Sequence, residues 1–315
     1  MSYKLSIIIP LHNEAENLPA LTARLHQTAS QLTQEHEIIF VNDGSTDDSE
    51  KILMAMHNDY AHVTVINLRE RGGKAAALER GFDVATGDYA VIIDSDLQHL
   101  PEDIPKLIEK MEEGYDVVSG ERTDRHDSAF KVFTSKIFNI IVRLLIRLNF
   151  DDYFSGLKCF RMSMMKEINV YGDLFRFVAV LAHQKGFKVT EIPITHHKRE
   201  HGISKYNFFT RVIRGIQDLI VIIFAIVLQP SDKYKFYRWG LFTAGIGIIL
   251  ILTEFVIHGS RGFSFRRFYG ASGCAALAIA SISYSLYWAV DYFYQLEARA
   301  RVMRRENVKD IIKSV

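Results

Sequence analysis

Residues 89–96 read YAVIIDSD, a short apolar run that ends in two acidic residues separated by one serine. Consecutive apolar residues in so short a run predict a strand buried on both faces, as in a parallel sheet covered by helices. Asp94 and Asp96 then lie at the carboxyl end of that strand. Carboxylates in such a position cost folding free energy unless another group compensates their charge. This segment therefore predicts both a buried strand and a functional site at its end.

The chain on both sides of this segment alternates between further apolar runs and helical patterns. The other predicted strands are Leu5–Pro10, Glu37–Asn42, Val63–Asn67 and Asp116–Ser119. The predicted helices are Ala15–Leu32, a helix capped by Thr46 or Asp47 that reaches about Met56, Gly73–Ala85, and one that begins at Pro101. This alternation predicts an α/β fold with a mostly parallel sheet. Because such sheets bind ligands beyond the carboxyl ends of their strands, one site is expected there.

The composition narrows the class of protein. Lys+Arg 38 against Asp+Glu 37 gives a net charge of +1, which does not indicate a nucleic-acid partner. The two cysteines, Cys159 and Cys274, are far apart and form no disulfide framework, which favours a reducing compartment. Met1–Lys4 leads directly into the first apolar run, so we expect no signal peptide and a cytoplasmic N-terminal part.

The last third of the chain is apolar and predicts a membrane region. Leu219–Leu228 is too short to span a bilayer and fits a helix in the membrane interface, with a buried core helix as the alternative. Trp239–Ile257 and Tyr269–Val290 are each long enough for a hydrocarbon core of ~30 Å. Eight basic residues flank these spans on the outer sides and three lie in the loop between them, which favours both termini in the cytoplasm.

Asp94-Ser95-Asp96 is the central chemical feature. Two carboxylates one residue apart suit a hard divalent cation, Mg²⁺ or Mn²⁺, which would bridge them to a diphosphate. Taken alone, this short pattern also fits a solvated turn. Zinc is not expected at His196, His197 and His201, since adjacent strand residues point to opposite faces and the usual ligand spacings are absent. Gly72-Gly73-Lys74 lacks the spacing of a Walker loop.

Seven segments, taken in order, resemble family 2 glycosyltransferases with the nucleotide-diphospho-sugar transferase (GT-A) fold. They are IIIPLHNEAENL (Ile7–Leu18), VNDGSTDDS (Val41–Ser49), RERGGKAAALERGFDVATGDY (Arg69–Tyr89), DSDLQHLPEDI (Asp94–Ile104), GER (Gly120–Arg122), DYFSGLKCFR (Asp152–Arg161) and HHKREHGISKY (His196–Tyr206). The last three look like the polyprenyl-phosphate branch, related to dolichol-phosphate mannose synthase. The resemblance implies a catalytic domain over 1–205, interfacial helices over 206–232, and two transmembrane helices with a basic tail over 233–315.

The resemblance also implies roles for individual residues. The donor nucleotide-sugar would be bound by Pro10, Asn13, Glu14, Asp43, Lys74, Arg199 and Lys205. The metal would be held by Asp94, Asp96 and Gln98. The acceptor phosphate would be held by Arg122, Lys131 and Ser135, since cations and a hydroxyl suit phosphate oxygens. Asp152 would orient the sugar or a cationic side chain, or serve as a structural hydrogen-bond acceptor. Asn42 stands where the family usually has the first aspartate of Asp-Asp-Gly-Ser, so the resemblance does not identify the group that residue 42 contacts.

The expected reaction is an inverting transfer of a hexose from a nucleotide-sugar to a polyprenyl phosphate at the cytoplasmic face of a bacterial inner membrane. UDP-glucose and undecaprenyl phosphate are the first choice, and GDP-mannose is the nearest alternative donor. A processive polysaccharide synthase fits less well, because the sequence lacks the Gln-x-x-Arg-Trp motif. An inactive nucleotide-sugar-binding membrane scaffold is the alternative from another class. Self-association is left open.

Overall fold

The structure is a computed structural model of the 315-residue chain. It describes residues 3–32, 35–123, 143, 148–153, 155–168, 172–197, 232–257, 275–285, 287–289, 292 and 307–313. The chain divides into two compact units, one of residues 1–219 with 300–315 and one of residues 220–299.

The first unit is an α/β domain built on one sheet. Its strands are β1 Leu5–Leu11, β2 His36–Asn42, β3 Val63–Leu68, β4 Tyr89–Ile92, β5 Val117–Arg122, β6 Lys158–Arg161, β7 Val189–Ile194 and β8 Val308–Lys313. Its helices are α1 Leu18–Gln31, α2 Ser49–Asp59, α3 Lys74–Val84, α4 Ile104–Glu112, α5 Met162–Glu167 and α6 Val178–Gln184, with 3₁₀ turns at Pro101–Asp103 and Gly172–Phe177. The strands and helices predicted before residue 122 are all present, with ends shifted by a few residues.

The eight strands lie in the order β7-β5-β6-β4-β1-β2-β3-β8. Neighbours among β4, β1, β2 and β3 are parallel, and β5 and β7 are parallel to each other. β6 and β8 run antiparallel to their neighbours. The mostly parallel sheet predicted from the alternating pattern is therefore confirmed. This topology brings the carboxyl ends of β1–β5 and β7 to one edge, where β6 and β8 begin.

The sheet is buried because the central strands carry apolar residues on both faces. Ile7, Ile8 and Ile9 are all inaccessible to solvent, as a strand covered on both sides requires. Helix α3 packs directly on β1, since a methyl group at Gly81 would lie 2.3 Å from Ile8 Cγ2. The close packing fixes the helix, and Lys74, its first residue, therefore has a defined place at the functional edge of the sheet.

The C-terminal tail contributes a strand that the sequence analysis did not predict. β8 pairs antiparallel with β3, from Thr64 opposite Lys313 to Leu68 opposite Val308. The sequence analysis assigned this segment only to a basic tail. An added strand covers the unpaired N–H and C=O groups that β3 would otherwise expose at the edge of the sheet.

The second unit contains helix α7, Asp232–Ile257, and a helix over residues 275–285. Gly240 of α7 lies close to the second helix, because a methyl group there would be 3.5 Å from the carbonyl oxygen of Ala280. Among the described residues, no helix combines the length and the apolar character that crossing a membrane requires. Parts of the predicted span at 269–290 and nearly all of the interfacial segment at 206–232 lie outside the described residues.

Candidate active site

Asp43, directly after β2, is held by the backbone of a neighbouring loop. Its Oδ1 accepts hydrogen bonds from the N–H groups of Gly72 (2.6 Å) and Gly73 (3.1 Å), and its Oδ2 accepts a second one from Gly73 (2.9 Å). The residue is only 3% exposed, so these N–H groups compensate a buried charge. Gly73 has φ +87°, which an L side chain would strain. Asp43 therefore fixes the loop that leads into α3, and its predicted contact with the nucleoside stays a prediction.

Asn13 and Glu14 connect the loops that follow β1 and β2. The Asn13 side chain accepts a hydrogen bond from Thr46 N–H (2.8 Å) and donates one to Thr46 Oγ1 (3.1 Å). The Glu14 carboxylate accepts a hydrogen bond from Asn17 Nδ2 (2.6 Å). The carbonyl oxygen of Pro10 accepts one from Ser95 Oγ (3.3 Å), which links β1 to the acidic segment. These residues lie at the edge that the sequence predicted.

The acidic pair after β4 lies next to a lysine. Lys74 Nζ forms a salt bridge with Asp94 Oδ1. Burial raises the pKa of the Asp94 carboxyl, but Lys74, His99 and Arg122 together outweigh that effect, so the pKa lies below its ordinary value. Asp96 is 8% exposed, and its Oδ1 accepts a hydrogen bond from Gln98 N–H (3.2 Å). Gln98 Nε2 donates to the carbonyl oxygen of His197 (3.3 Å), which leaves its Oε1 as the atom that would meet a cation.

His99 and Gly156 complete the surroundings of Asp94, and the sequence analysis gave neither of them a role. The His99 ring is buried and lies 5.4 Å from the ring of His196. Burial lowers the pKa of the His99 imidazole, although the neighbouring Asp94 carboxylate acts in the opposite direction. A methyl group at Gly156 would lie 2.1 Å from Asp94 Oδ2 and 2.9 Å from His99 Cε1. The Asp94 carboxylate thus takes its position because residue 156 has no side chain.

Arg122 and Asp152 form a bidentate pair at the end of β5, which lies two strands from β4 in the sheet. Arg122 Nε donates to Asp152 Oδ2 (2.6 Å) and its Nη2 donates to Oδ1 (2.9 Å). Asp152 is 1% exposed, so its charge depends on this partner. Of the three roles open for Asp152, the structure shows the contact with a cationic side chain. The pair also orients the guanidinium of Arg122, because two parallel hydrogen bonds fix its plane.

Lys158, at the start of β6, is a buried cation at the same edge that the sequence analysis missed. It is 3% exposed, and its Nζ donates to the carbonyl oxygens of Tyr153 (2.9 Å) and Arg176 (3.0 Å). Burial lowers the pKa of Lys158 to about 8, although Asp152 acts in the opposite direction. The signal available in the sequence was a single lysine inside the otherwise apolar run GLKCF.

Four predicted site residues lie outside the described residues: Lys131, Ser135, Arg199 and Lys205. Within the described ranges, no group of three or more His, Cys, Asp or Glu side chains is arranged to hold a metal ion. Asp94 and Asp96 nevertheless provide two carboxylates, and a cationic ammonium already contacts the first. Hard oxygen ligands of this kind fit Mg²⁺ or Mn²⁺ when diphosphate or water oxygens supply the remaining positions.

A mostly parallel sheet with an acidic pair and cations at its carboxyl edge is the arrangement expected of a nucleotide-diphospho-sugar transferase fold. Comparison with protein-family models shows to which family the chain belongs. The model described as "Glycosyl transferase family 2" matches residues 6–169, and the chain belongs to that family.

The most similar curated proteins include transferases that act on a lipid phosphate. One from Yersinia pestis (strain Pestoides F), named undecaprenyl-phosphate 4-deoxy-4-formamido-L-arabinose transferase, is 38% identical over 218 residues, which are 69% of this chain and 66% of the relative. A protein of the same name from Photorhabdus laumondii is 37% identical over 218 residues, or 69% of this chain and 67% of the relative. The match thus spans about two thirds of these relatives.

Solved structures confirm the GT-A fold. Glucosyl-3-phosphoglycerate synthase from Mycobacterium tuberculosis, in complex with Mn²⁺, UDP-glucose and phosphoglyceric acid, has a TM-score of 0.53 at 18% identity, over 70% of this chain and 79% of that one. A mannosyltransferase from Pyrobaculum calidifontis, in complex with GDP-Man and Mn²⁺, has a TM-score of 0.51 at 16% identity, over 97% of this chain and 84% of that one. Identities this low establish the fold alone.

Replacing Gly156 tests the packing against Asp94. Gly156→Ala forces the Asp94 carboxylate away from its position, and overpacking of this kind lowers the free energy of unfolding by about 1–3 kcal/mol. The loss should be smaller in an Asp94→Ala background, where the two closest atoms are gone. The measurement is a double-mutant cycle by denaturant unfolding of the full-length protein. Gly245→Ala is the control, since a methyl group there meets nothing within 4 Å. Equal losses in both backgrounds would contradict the contact.

Proposed function

We propose that this protein is an inverting glycosyltransferase that moves a sugar from a nucleotide-diphospho-sugar to a polyprenyl phosphate. The observation that carries the proposal is the arrangement at the sheet edge. The acidic pair Asp94 and Asp96 follows β4, with Lys74 in a salt bridge to Asp94, and Arg122, oriented by Asp152, lies at the end of β5, two strands away in the sheet. An anionic donor and an anionic acceptor both require cations at the point where they meet. The names of the relatives support a lipid phosphate as acceptor.

Asp94 and Asp96, assisted by Gln98, would hold the divalent cation. When bound, it would supply charge neutralisation for the diphosphate that leaves the sugar. Lys74 has a second role at the same place. Its side chain is about half exposed, so its ammonium can exchange a contact with Asp94 for one with a diphosphate oxygen. The loop held by Asp43 brings Lys74 to this position, because α3 starts there.

The acceptor needs orientation more than activation. A phosphate monoester has a second pKa of about 6, so its oxygen is already anionic near neutral pH and requires no strong general base. Arginine carries five N–H donors, and Asp152 accepts hydrogen bonds from the Nε and Nη2 groups of Arg122. These two hydrogen bonds fix the orientation of the Arg122 guanidinium, which is proposed to bind the acceptor phosphate. Lys131 and Ser135 are proposed as further contacts of the same phosphate.

UDP-glucose with undecaprenyl phosphate remains the first substrate pair, and GDP-mannose the nearest alternative donor. The names of the relatives add a third candidate sugar, 4-deoxy-4-formamido-L-arabinose, carried on a nucleotide. A panel of nucleotide-sugars, each tested as donor, chooses between these. An inactive nucleotide-sugar-binding scaffold is the alternative from another class, and turnover of the donor separates it from an enzyme.

The second unit is proposed to contact the bilayer that carries the acceptor. Large apolar side chains are exposed along α7 and the 275–285 helix: Trp239, Leu241, Phe242, Ile248, Ile249, Ile279, Ile282 and Tyr284. So many exposed large apolar side chains on two helices are unusual for a protein in water and favour an interaction surface. We propose a multi-pass protein of the bacterial cytoplasmic membrane with its catalytic unit facing the cytoplasm.

Metal dependence tests the function directly. The full-length protein is incubated with Mn²⁺, undecaprenyl phosphate and a panel of nucleotide-sugars, and the glycolipid is measured by mass. Excess chelator should abolish the product, and Asp96→Ala should reduce the rate by roughly 10²–10³-fold, as for loss of one charge-stabilising group.

Asp59→Ala is the control for that experiment, because Asp59 is an exposed carboxylate at the end of α2. Full activity in excess chelator would exclude the metal. Donor binding without any glycolipid, across the whole panel, would favour the scaffold.

A donor–acceptor comparison tests the assignment of Arg122. Arg122→Lys keeps a cation beside Asp152 but loses the fork geometry that suits a phosphate. Loss of a charge-assisted hydrogen bond costs about 1.5–3 kcal/mol, or roughly a ten- to hundred-fold rise in KM for the lipid phosphate. Donor affinity, measured by calorimetry, should stay unchanged. Lys74→Ala should show the reverse pattern. If Arg122→Lys weakened donor binding and left the lipid KM unchanged, Arg122 would belong to the donor site.

A further inference from the structure

Asn307, one residue before β8, is hydrogen-bonded to the loop that leads to the glycine pair and Lys74. Its Oδ1 accepts a hydrogen bond from Glu70 N–H (3.0 Å), and its Nδ2 donates to the carbonyl oxygen of Glu70 (2.7 Å). Its own carbonyl oxygen accepts a hydrogen bond from Arg69 N–H (2.8 Å). The side-chain amide thus pairs with both backbone groups of Glu70 and extends the β3–β8 pairing beyond the last strand residue.

The 69–73 loop, to which Asn307 is hydrogen-bonded, also packs against Gly44 and is hydrogen-bonded to Asp43. A methyl group at Gly44 would lie 2.7 Å from Arg71 N and 2.8 Å from the carbonyl carbon of Glu70, so the 70–71 peptide rests on Gly44. Directly after it, Gly72 and Gly73 donate to Asp43. The position of this loop is therefore set by Gly44, by Asp43, and by a residue more than 230 positions later in the sequence.

A second connection runs from β8 through the sheet to the loop after β2. Asp310 Oδ1 accepts a hydrogen bond from Asn67 Nδ2 (2.8 Å), and Asn67 Oδ1 accepts one from Asn42 Nδ2 (2.9 Å). Asn42 Oδ1 then accepts one from Ser45 N–H (3.1 Å). Asn42 and Asn67 are almost completely buried, which makes an unpaired group costly at either position.

The order of these hydrogen bonds explains the amide at position 42. The series begins at a carboxylate, which only accepts, and each amide accepts at its oxygen and donates from its nitrogen. An aspartate at position 42 would place a second acceptor against Asn67 Oδ1, with no hydrogen between them. Asn42, the departure noted in the sequence, is therefore matched to Asn67 and Asp310.

We propose that β8 is a positioning element of the donor site. Asn307 and Asp310 hold the 69–73 loop and the 42–46 loop in the arrangement that receives the nucleoside diphosphate, an assignment that rests on the proposed function. These two loops contain Asp43 and lead into Lys74, and neither Asn307 nor Asp310 contacts the acidic pair. Their effect is therefore on donor affinity, with no direct effect on the acceptor.

The test compares donor and acceptor parameters in single variants of the full-length protein. The affinities for UDP and for GDP, each with Mn²⁺, are measured by calorimetry at 25 °C, and KM is measured for the donor and for undecaprenyl phosphate. Asn307→Ala and Asp310→Ala should each weaken nucleotide affinity and raise the donor KM roughly ten-fold, the loss expected from one or two hydrogen bonds. The KM for the lipid phosphate should stay the same.

Two further variants separate positioning from general stability. Asp310→Asn retains an Oδ1 that accepts from Asn67, so its nucleotide affinity should be close to that of the unmodified protein. Lys309→Ala removes a salt bridge between the same strand and Glu50 (2.7 Å) at the surface, and should leave nucleotide affinity unchanged. Melting temperatures of all variants are recorded in parallel.

The outcomes distinguish this inference from the proposed function. A fall in melting temperature with unchanged nucleotide affinity in Asn307→Ala and Asp310→Ala would overturn the positioning role and leave the function intact. A rise in the lipid KM without a change in the donor KM would also overturn it. If the unmodified protein bound neither nucleotide and used no nucleotide-sugar, the proposed function itself would be wrong, and this inference with it.

Discussion

A carboxylate cannot be buried at the edge of a sheet without a partner for its charge, and this constraint organises the functional edge of the protein. Three carboxylates there, the buried Asp43 and Asp152 and the partly exposed Asp94, have different partners. Asp43 is held by the N–H groups of a glycine pair, Asp94 by the Lys74 ammonium and Asp152 by the Arg122 guanidinium. Each partner belongs to a different part of the chain. Satisfying these charges therefore brings the loop before α3, the helix itself and the end of β5 to one place.

The same ion pairs keep the two cations, Lys74 and Arg122, at separate positions along the edge of the sheet. Lys74 is paired with Asp94 and Arg122 with Asp152, so each cation stays beside its own carboxylate. Arg122 nevertheless contributes to the low pKa of Asp94, and Lys158 responds to Asp94 and Asp152 alike. The groups thus share one electrostatic environment while their positions stay distinct. This separation is what the proposed function uses when it assigns the donor to the side of Lys74 and the acceptor to the side of Arg122.

The sequence predicted the parts of this arrangement that depend on local pattern. Apolar runs gave the strands from Leu5 to Ser119, and the residues directly after them fell at the expected edge, because parallel strands end together. It missed β8, whose residues 308–313 become a strand only by pairing with β3, far away in the sequence. It also missed Gly156 and Lys158. Gly156 contacts Asp94, and Lys158 binds the carbonyl oxygens of Tyr153 and Arg176. Residue spacing along the chain does not predict such tertiary contacts.

Charge balance at the edge bears on how two anionic substrates can meet there. The Lys74 and Arg122 cations already contact carboxylates, and Asp96 adds a further negative charge that is almost fully buried. A phosphate brings about −1.5 to −2 at neutral pH, and a diphosphate donor adds more. The described side chains alone would repel such a pair. Under the proposed function, a divalent cation on the acidic pair would reverse that balance. Under the proposed function, cation binding and donor binding would be linked, because Asp94 is the salt-bridge partner that Lys74 would exchange for the diphosphate.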